Sequence, residues 1–331
     1  MTANPIHPGE DNVRMLHPFA DAWTADRLLD TEFPEPAWAI PGIVPEGLSV
    51  LAGAPKVGKS WLALCWALSV AAGGLALGSL QCDAGPVLYL ALEDNPRRIQ
   101  RRIRTVLDGA PAPSGLHLAT DCAALGAGGS DDIAGWLDYF TGARMVVIDV
   151  FAKVRGQVAG SNAYADDYCA TGLAKTIADR YQVAVVLVHH VRKMGSEDFL
   201  EELSGTNGIA GAADTVHVLG RERYDADGTL ATTGRDVEET KRALHQDPRT
   251  HAWSLLDGPA LDHTVHDTSA TILRYVRGHQ GASPREIADA TGLAIDLTRK
   301  TCARMEKRDH LIRVGDGRYA APPEPETGDL P

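Results

Sequence analysis

Cysteine is sparse and scattered. The chain has five (Cys65, Cys82, Cys122, Cys169, Cys302) in 331 residues, an odd number with no Cys-x-x-Cys pair. That spacing builds neither a disulfide framework nor a zinc site, and it fits a reducing cytoplasm. Long apolar runs are missing too. The longest, residues 61–72, is too short to span a bilayer, so no membrane partner is expected. Residues 1–10 carry no basic stretch leading into an apolar core, so no signal peptide is expected there. Nor does positive charge predominate: the net charge is −12. An acidic chain does not coat duplex DNA non-specifically, but a local basic surface remains compatible with it. What is present is a globular composition, 44% hydrophobic and 23% charged. At this length it makes one large α/β domain and a smaller one.

The most informative stretch is Gly53-Ala54-Pro55-Lys56-Val57-Gly58-Lys59-Ser60, followed by Trp61. It meets every fixed position of the pattern G-x-x-x-x-G-K-[ST]. An apolar run at 47–52 precedes it and reads as a buried strand. The run at 61–72 follows and reads as a helix ended by Gly73-Gly74. Strand, glycine loop and helix form the context in which this pattern cradles a phosphate. The loop N–H groups and the helix N-terminus present fixed positive partial charge to an anion. Lys59 is expected to reach the β- and γ-phosphates of ATP, and the Ser60 hydroxyl to hold Mg²⁺.

Around this loop the chain alternates strands and helices. Strands are expected at 85–94, 116–119, 145–149 and 183–188. Helices are expected at 97–107, 131–140 and 164–181, with 151–163 as a loop. This rhythm predicts a mostly parallel sheet flanked by helices, with its site at the strands' carboxyl ends. From residue 214 the pattern shortens to strands at 215–219, 230–237, 240–245 and 252–256. These are expected to form an antiparallel edge, with a turn at Asp225-Ala226-Asp227-Gly228. Residues 1–40 read as an arm with a short helix near 24–30. The prolines at 34, 36 and 41 keep the stretch before the domain extended. The arm packs on its own domain, or on a neighbouring subunit. The large domain spans 41–257 and a polar linker 258–267.

Residues 268–320 read as three helices and a hairpin with an Asp316-Gly317 turn, the order of a winged helix-turn-helix. They hold ten Lys and Arg against six Asp and Glu, so positive charge concentrates there in an acidic chain. Arg299, Lys300 and Arg304 fall on the expected recognition helix and Arg318 on the wing. All four are candidates for duplex DNA contact. A protein-binding or purely structural module is the alternative. Residues 321–331 form a proline-rich, acidic tail.

Asp149 ends an apolar strand and is the natural second Mg²⁺ anchor. Glu93 ends the strand before it and is favoured over Asp94 as the carboxylate that orients the attacking water. Asp94 is expected instead to cap the helix that begins at Pro96. His189 and His190 end a further strand. Adjacent residues point to opposite faces, so one of the two is expected to sense the γ-phosphate.

Taken in order, 47–60, Leu90-Ala91-Leu92-Glu93-Asp94, 146–149, Val186-Leu187-Val188-His189-His190, Ser204-Gly205-Thr206-Asn207-Gly208 and Gly234-Arg235-Asp236-Val237 resemble the RecA-like ATPases of the RepA type, the hexameric plasmid helicases. The resemblance covers roughly residues 24–257. It implies a RecA-like core, a hexameric ring, ATP hydrolysed between subunits, Glu93 as catalytic glutamate and a histidine sensor at 189 or 190. It also implies that loops 151–163 and 191–206 face a channel. There Lys153, Arg155, Arg192 and Lys193 would contact single-stranded DNA. An arginine finger from the neighbouring subunit is expected. Arg235 is the first candidate, with Lys241 and Arg242 close behind, and a surface ion pair of Arg235 with Asp236 or Glu238 is the alternative. Asp149 is followed by Val150-Phe151 where such proteins often carry proline, and the winged module lies outside their core pattern.

Overall fold

A computed structural model describes residues 22–156, 163–191, 207–221, 227–256, 267–306, 310–315 and 317–322. Residues 1–36 form one unit and 37–331 another. In the first, a single-turn helix α1 (Ala25–Leu29) follows Thr24 and buries none of its residues, while Trp23 packs edge-on against Phe33.

The second unit is built on a nine-stranded sheet. Its elements in chain order are β1 (Trp38–Ile40), β2 (Val44–Pro45), β3 (Gly47–Gly53), α2 (Lys59–Ala72), β4 (Leu75–Ala76), β5 (Leu80–Gln81), β6 (Val87–Ala91), α3 (Pro96–Leu107), β7 (Leu116–Ala119), α4 (Gly129–Tyr139), β8 (Met145–Asp149), α5 (Ala163–Tyr181), β9 (Ala184–His190), α6 (Asn207–Ala212), β10 (Thr215–Gly220), β11 (Asp227–Gly234), β12 (Thr240–Gln246) and β13 (Trp253–Leu255). The sheet runs β13-β12-β11-β10-β3-β9-β8-β6-β7. From β10 to β7 every neighbouring pair is parallel, and β10 to β13 pair antiparallel. This is the α/β arrangement expected, with two corrections. The strand at Thr215–Gly220 is not the first of the antiparallel edge but the last parallel strand, paired with β3. The turn expected at 225–228 is also displaced: Asp227 and Gly228 already belong to β11, and 225–226 lie outside the described residues.

Both faces of the central strands are covered, which is why they read as unbroken apolar runs. On β6, Val87, Tyr89 and Ala91 join one core cluster with α2 and α3, while Leu88 and Leu90 join the other with α4 and α5. Helix α2 is buried nearly all round through Leu62, Ala63, Leu64, Cys65, Trp66, Ala67 and Leu68. Among the described residues no helix is long and apolar enough to cross a membrane.

A third cluster holds the C-terminal module together, through Ile272, Leu273, Val276, Ile287, Cys302, Met305, Leu311 and Tyr319. Its helices are α7 (Asp267–Gly278), α8 (Pro284–Thr291) and α9 (Ile295–Glu306), followed by the antiparallel pair β14 (Ile312–Gly315) and β15 (Arg318–Ala320). Ser283 and Glu286 form a reciprocal capping box at the start of α8.

Core chemistry predicts a pH dependence. His217 is fully buried on β10, its Nδ1 3.0 Å from the Thr232 hydroxyl, and burial pushes its pKa down to about 3. In the unfolded chain a histidine takes its proton near 6.5. Its contribution is therefore intact above that pH and declines as pH falls from 6.5 towards 3, because only the unfolded state gains the proton. Urea denaturation between pH 6.5 and 5 should show a stability slope that His217→Gln makes shallower, by up to about 1.4 kcal/mol per pH unit.

Candidate active site

Strand register brings the site together. Gly53 at the end of β3 lies beside His190 of β9, Val188 beside Asp149 of β8, and Asp149 beside Ala91 of β6. The carboxyl ends of four neighbouring parallel strands therefore converge, and Glu93 follows two residues after Ala91.

The phosphate loop bridges β3 and α2. Two of its glycines are required by space as well as by backbone. Gly53 has φ +154°, and a Cβ there would lie 2.5 Å from the Leu219 carbonyl oxygen. Gly58 has φ +111°, and a Cβ would lie 2.8 Å from the Trp253 ring. Because the obstacle at Gly53 is backbone, Gly53→Ala should cost about 1–3 kcal/mol, read as a lowered thermal midpoint.

Lys59 is 3% exposed and donates to the carbonyl oxygens of Gly53 (2.7 Å) and Ala54 (2.9 Å). Burial lowers its pKa to about 8, while the nearby carboxylates of Asp149 and Glu93 favour the charged form. An ammonium held this way, at the mouth of a helix N-terminus, is matched to a bound polyanion. The Ser60 hydroxyl lies 3.1 Å from Asp149 Oδ1, and the Tyr89 hydroxyl donates to Asp149 Oδ2 at 2.7 Å. Burial raises the Asp149 pKa, against the lowering effect of those two hydrogen bonds. Mg²⁺ beside nucleotide phosphates takes only one or two protein oxygens, with the rest from phosphate and water. The adjacent Ser60 and Asp149 oxygens fit that demand.

Glu93 is half exposed, and its Oε2 is 4.0 Å from His190 Nε2. Its charge is felt at Lys59, yet the carboxylate stays open to solvent. Asp94 behaves differently: its side chain is 5% exposed and pairs with Arg98 (3.1 Å) and Arg102 (2.6 Å). It does not cap α3. Asn95 does, its side chain accepting from the Arg98 N–H, because Pro96 occupies the first helical position and Asn95 the one before it.

The two histidines diverge as their spacing requires. His190 lies in the field of Lys59 and Glu93, and burial is the main cause of its lowered pKa. His189 faces the surroundings of Asp167 and Arg155. Burial lowers it to about 4, and its Nε2 is buried without a hydrogen-bond partner among the described residues. Trp61 stacks on His251 (4.3 Å) and lies under the Arg102 guanidinium (5.4 Å).

Other expected residues do not gather here. Arg235 sits at the far end of the sheet, ~20 Å along β3 from the phosphate loop at 3.3 Å per residue. It pairs at 3.6 Å with Asp214, not with Asp236 or Glu238. Arg242 donates to the Gly42 carbonyl, and Lys241 is exposed. Lys153 is exposed, in a 3-10 turn anchored by buried Phe151, and Arg155 is bonded to Asp167 at 2.9 Å. The expected loop 151–163 is thus partly a packed turn, and Ala163 already opens α5. Residues 157–162, Arg192 and Lys193 lie outside the described residues. On the C-terminal module Arg299 and Lys300 are exposed, Arg318 bonds to the Gly281 carbonyl and to Glu286, and the side chain of Arg304 lies outside the described residues. Tyr89, the Trp61–Arg102 contact and the anchoring role of Asp214 are not legible in the sequence pattern.

A family model described as an AAA domain matches residues 14–196. Among solved structures, the chain is similar to one described as an ATPase domain, with 13% identity over 64% of this chain and 85% of that one, at a TM-score of 0.53. It is also similar to a DnaB-like replicative helicase, described with its interactions with primase. There the identity is 12% over 75% of this chain and 71% of the other, at a TM-score of 0.56. At these identities the likeness is one of fold: a RecA-like P-loop core. No curated protein matches the chain by sequence.

Proposed function

The chain belongs to the AAA-domain family, and from that premise we propose that it is an Mg²⁺-dependent, ATP-hydrolysing motor of the RepA type. In this reading it forms a ring, hexameric by resemblance, and moves on single-stranded DNA for a plasmid, phage or other mobile element. The observation that supports this best is the convergence of Lys59, Ser60, Asp149, Glu93 and His190 at the ends of neighbouring parallel strands.

Each residue has a definable task. Lys59 leaves the Gly53 and Ala54 carbonyls for the β- and γ-phosphate oxygens, and the loop N–H groups hold the same anion. Ser60 and Asp149 would hold Mg²⁺, whose positive charge would offset that of the phosphates when bound. The Tyr89 hydroxyl, donating to Oδ2, fixes the Asp149 carboxylate beside Ser60. Glu93 orients the attacking water and accepts its proton. His190, beside Glu93, reports the γ-phosphate. Positive charge from a neighbouring subunit would complete the site, and Arg235, exposed and far from its own phosphate loop, is our candidate to supply it to another copy. The C-terminal module, with Arg299 and Lys300 exposed, recruits duplex DNA or a partner as a winged helix.

A second reading, an ATP-switched DNA-binding regulator or loader, is favoured by that same basic module. Strand displacement on a forked duplex separates the two. Mg²⁺- and ATP-dependent release of one strand is the expected result. Turnover stimulated by single strands without release leaves the switch.

A further inference from the structure

Five of the eight residues that follow Pro96 in α3 are arginine (97, 98, 101, 102 and 104), and two of them turn back onto the site. Asp94, one residue after Glu93, is nearly sealed from water, and a buried carboxylate survives there only because it is paired. Arg98 donates to Asp94 Oδ1 at 3.1 Å and, with the same nitrogen, to the backbone carbonyl of Glu93 at 3.0 Å. Arg102 donates to Asp94 Oδ2 at 2.6 Å. The Arg102 guanidinium also lies over the Trp61 ring, 5.4 Å from its centroid, and Trp61 directly follows Ser60. Trp61 stacks in addition on His251.

These contacts form a continuous path. It starts at the first turn of the phosphate-loop helix, crosses Trp61 to Arg102, passes through the Asp94 carboxylate to Arg98, and ends on the Glu93 main chain. We infer that Asp94, Arg98 and Arg102 form a clamp that positions Glu93 relative to the phosphate loop. They are positioning residues for hydrolysis that touch neither phosphate nor water. The inference rests on the assignment of Glu93 as the carboxylate that activates water.

The physical need is specific. Glu93 sits beyond the last paired residue of β6, on a short connection to Asn95, and its own side chain has no hydrogen bond within 3.5 Å among the described contacts. Left to itself, that connection would let the carboxylate sample many orientations, and a misplacement of about 1 Å costs on the order of 10²-fold in rate. Tethering its carbonyl and its neighbour to a rigid helix removes that freedom. Joining the tether to Trp61 makes the geometry of Glu93 depend on where the start of α2 lies.

The test is steady-state ATP turnover by the full-length protein, alongside equilibrium binding of a fluorescent ATP analogue and thermal denaturation. Variants are Arg98→Ala, Asp94→Asn, Arg102→Ala, Arg102→Lys and Glu93→Gln. Arg98 is half exposed, so Arg98→Ala removes the Glu93 tether with little effect on folding. The expected result is kcat lowered about tenfold or more in Arg98→Ala and Asp94→Asn, with KM and analogue affinity within about twofold of wild type. Arg102→Lys should recover part of the activity lost in Arg102→Ala. The double variant Asp94→Asn/Arg102→Ala should be no slower than the worse single, because one path is broken either way. If Glu93→Gln is inactive but Arg98→Ala and Asp94→Asn keep wild-type kcat, or lose only thermal stability, the clamp is wrong and the role of Glu93 stands. If Glu93→Gln itself turns over normally, the assignment of Glu93 fails and the clamp with it.

Discussion

Replacing Glu93 by glutamine should leave ATP binding within a few-fold of wild type and reduce hydrolysis by about 10²- to 10⁴-fold, the range typical of a lost general base. The substitution keeps the shape of the side chain and removes its charge. The Glu93 carboxylate is half exposed and makes no close ion pair among the described residues, its nearest partner being His190 at 4.0 Å. Little folding energy therefore depends on it, and the effect should fall on kcat. Asp94→Asn is the informative contrast. That carboxylate is buried and doubly paired, so its loss also appears in the thermal midpoint. A single measurement of bound analogue and released phosphate on Glu93→Gln distinguishes a catalytic carboxylate from a structural one.

Lys59→Met should abolish nucleotide binding at micromolar concentrations while leaving the fold in place. Lys59 is buried under the loop, and its two present acceptors are main-chain carbonyls of that loop. Charge-assisted hydrogen bonds to phosphate are about twice as strong as neutral ones. Losing them in a water-poor site costs on the order of 3–4 kcal/mol, or several hundred-fold in affinity. Methionine is similarly unbranched and carries no charge. A lysine already depressed to about 8 is costly to bury, so its removal should raise the thermal midpoint slightly, not lower it. Calorimetric titration with ATP and Mg²⁺, run beside a melting curve, checks both halves of this expectation.

The parts of this site legible in the sequence are those whose cause is local. The loop announces itself because glycine is the residue type that fits beside the Leu219 carbonyl at Gly53 and the Trp253 ring at Gly58. The strands at Val87–Ala91 and Met145–Asp149 were legible because both faces are buried, and Glu93 and Asp149 were legible because a carboxylate follows or ends an apolar run. Features set by pairing between distant segments were not. Thr215–Gly220 has the composition of either kind of strand, and its parallel pairing with β3 depends on a partner more than 160 residues away. Tyr89 looks like any core residue. Its role appears only when the register places it beside Val147, so that Asp149 lies two residues on along the same face, within reach of its hydroxyl. Asp94 was read as a cap from proximity to Pro96, but Asn95 is one residue closer. The arginines one and two turns along the helix then claim the aspartate.

Arg235 illustrates the same division. Its Gly-Arg-Asp-Val setting made it the first candidate for an arginine finger, with a surface ion pair to Asp236 or Glu238 as the alternative. Its actual partner, Asp214, also accepts the Leu48 N–H at 2.8 Å and pairs with Lys175 at 3.0 Å. Those three elements meet only in the folded sheet.

A hydrolytic site that answers to DNA can be tested directly by one measurement. Phosphate release from ATP should be followed in Mg²⁺ while a single-stranded oligonucleotide is titrated into the full-length protein. Turnover should require Mg²⁺, rise several-fold as the oligonucleotide saturates, and disappear in Glu93→Gln. Tight ATP binding without phosphate release, or release indifferent to single strands, would contradict a site of that kind.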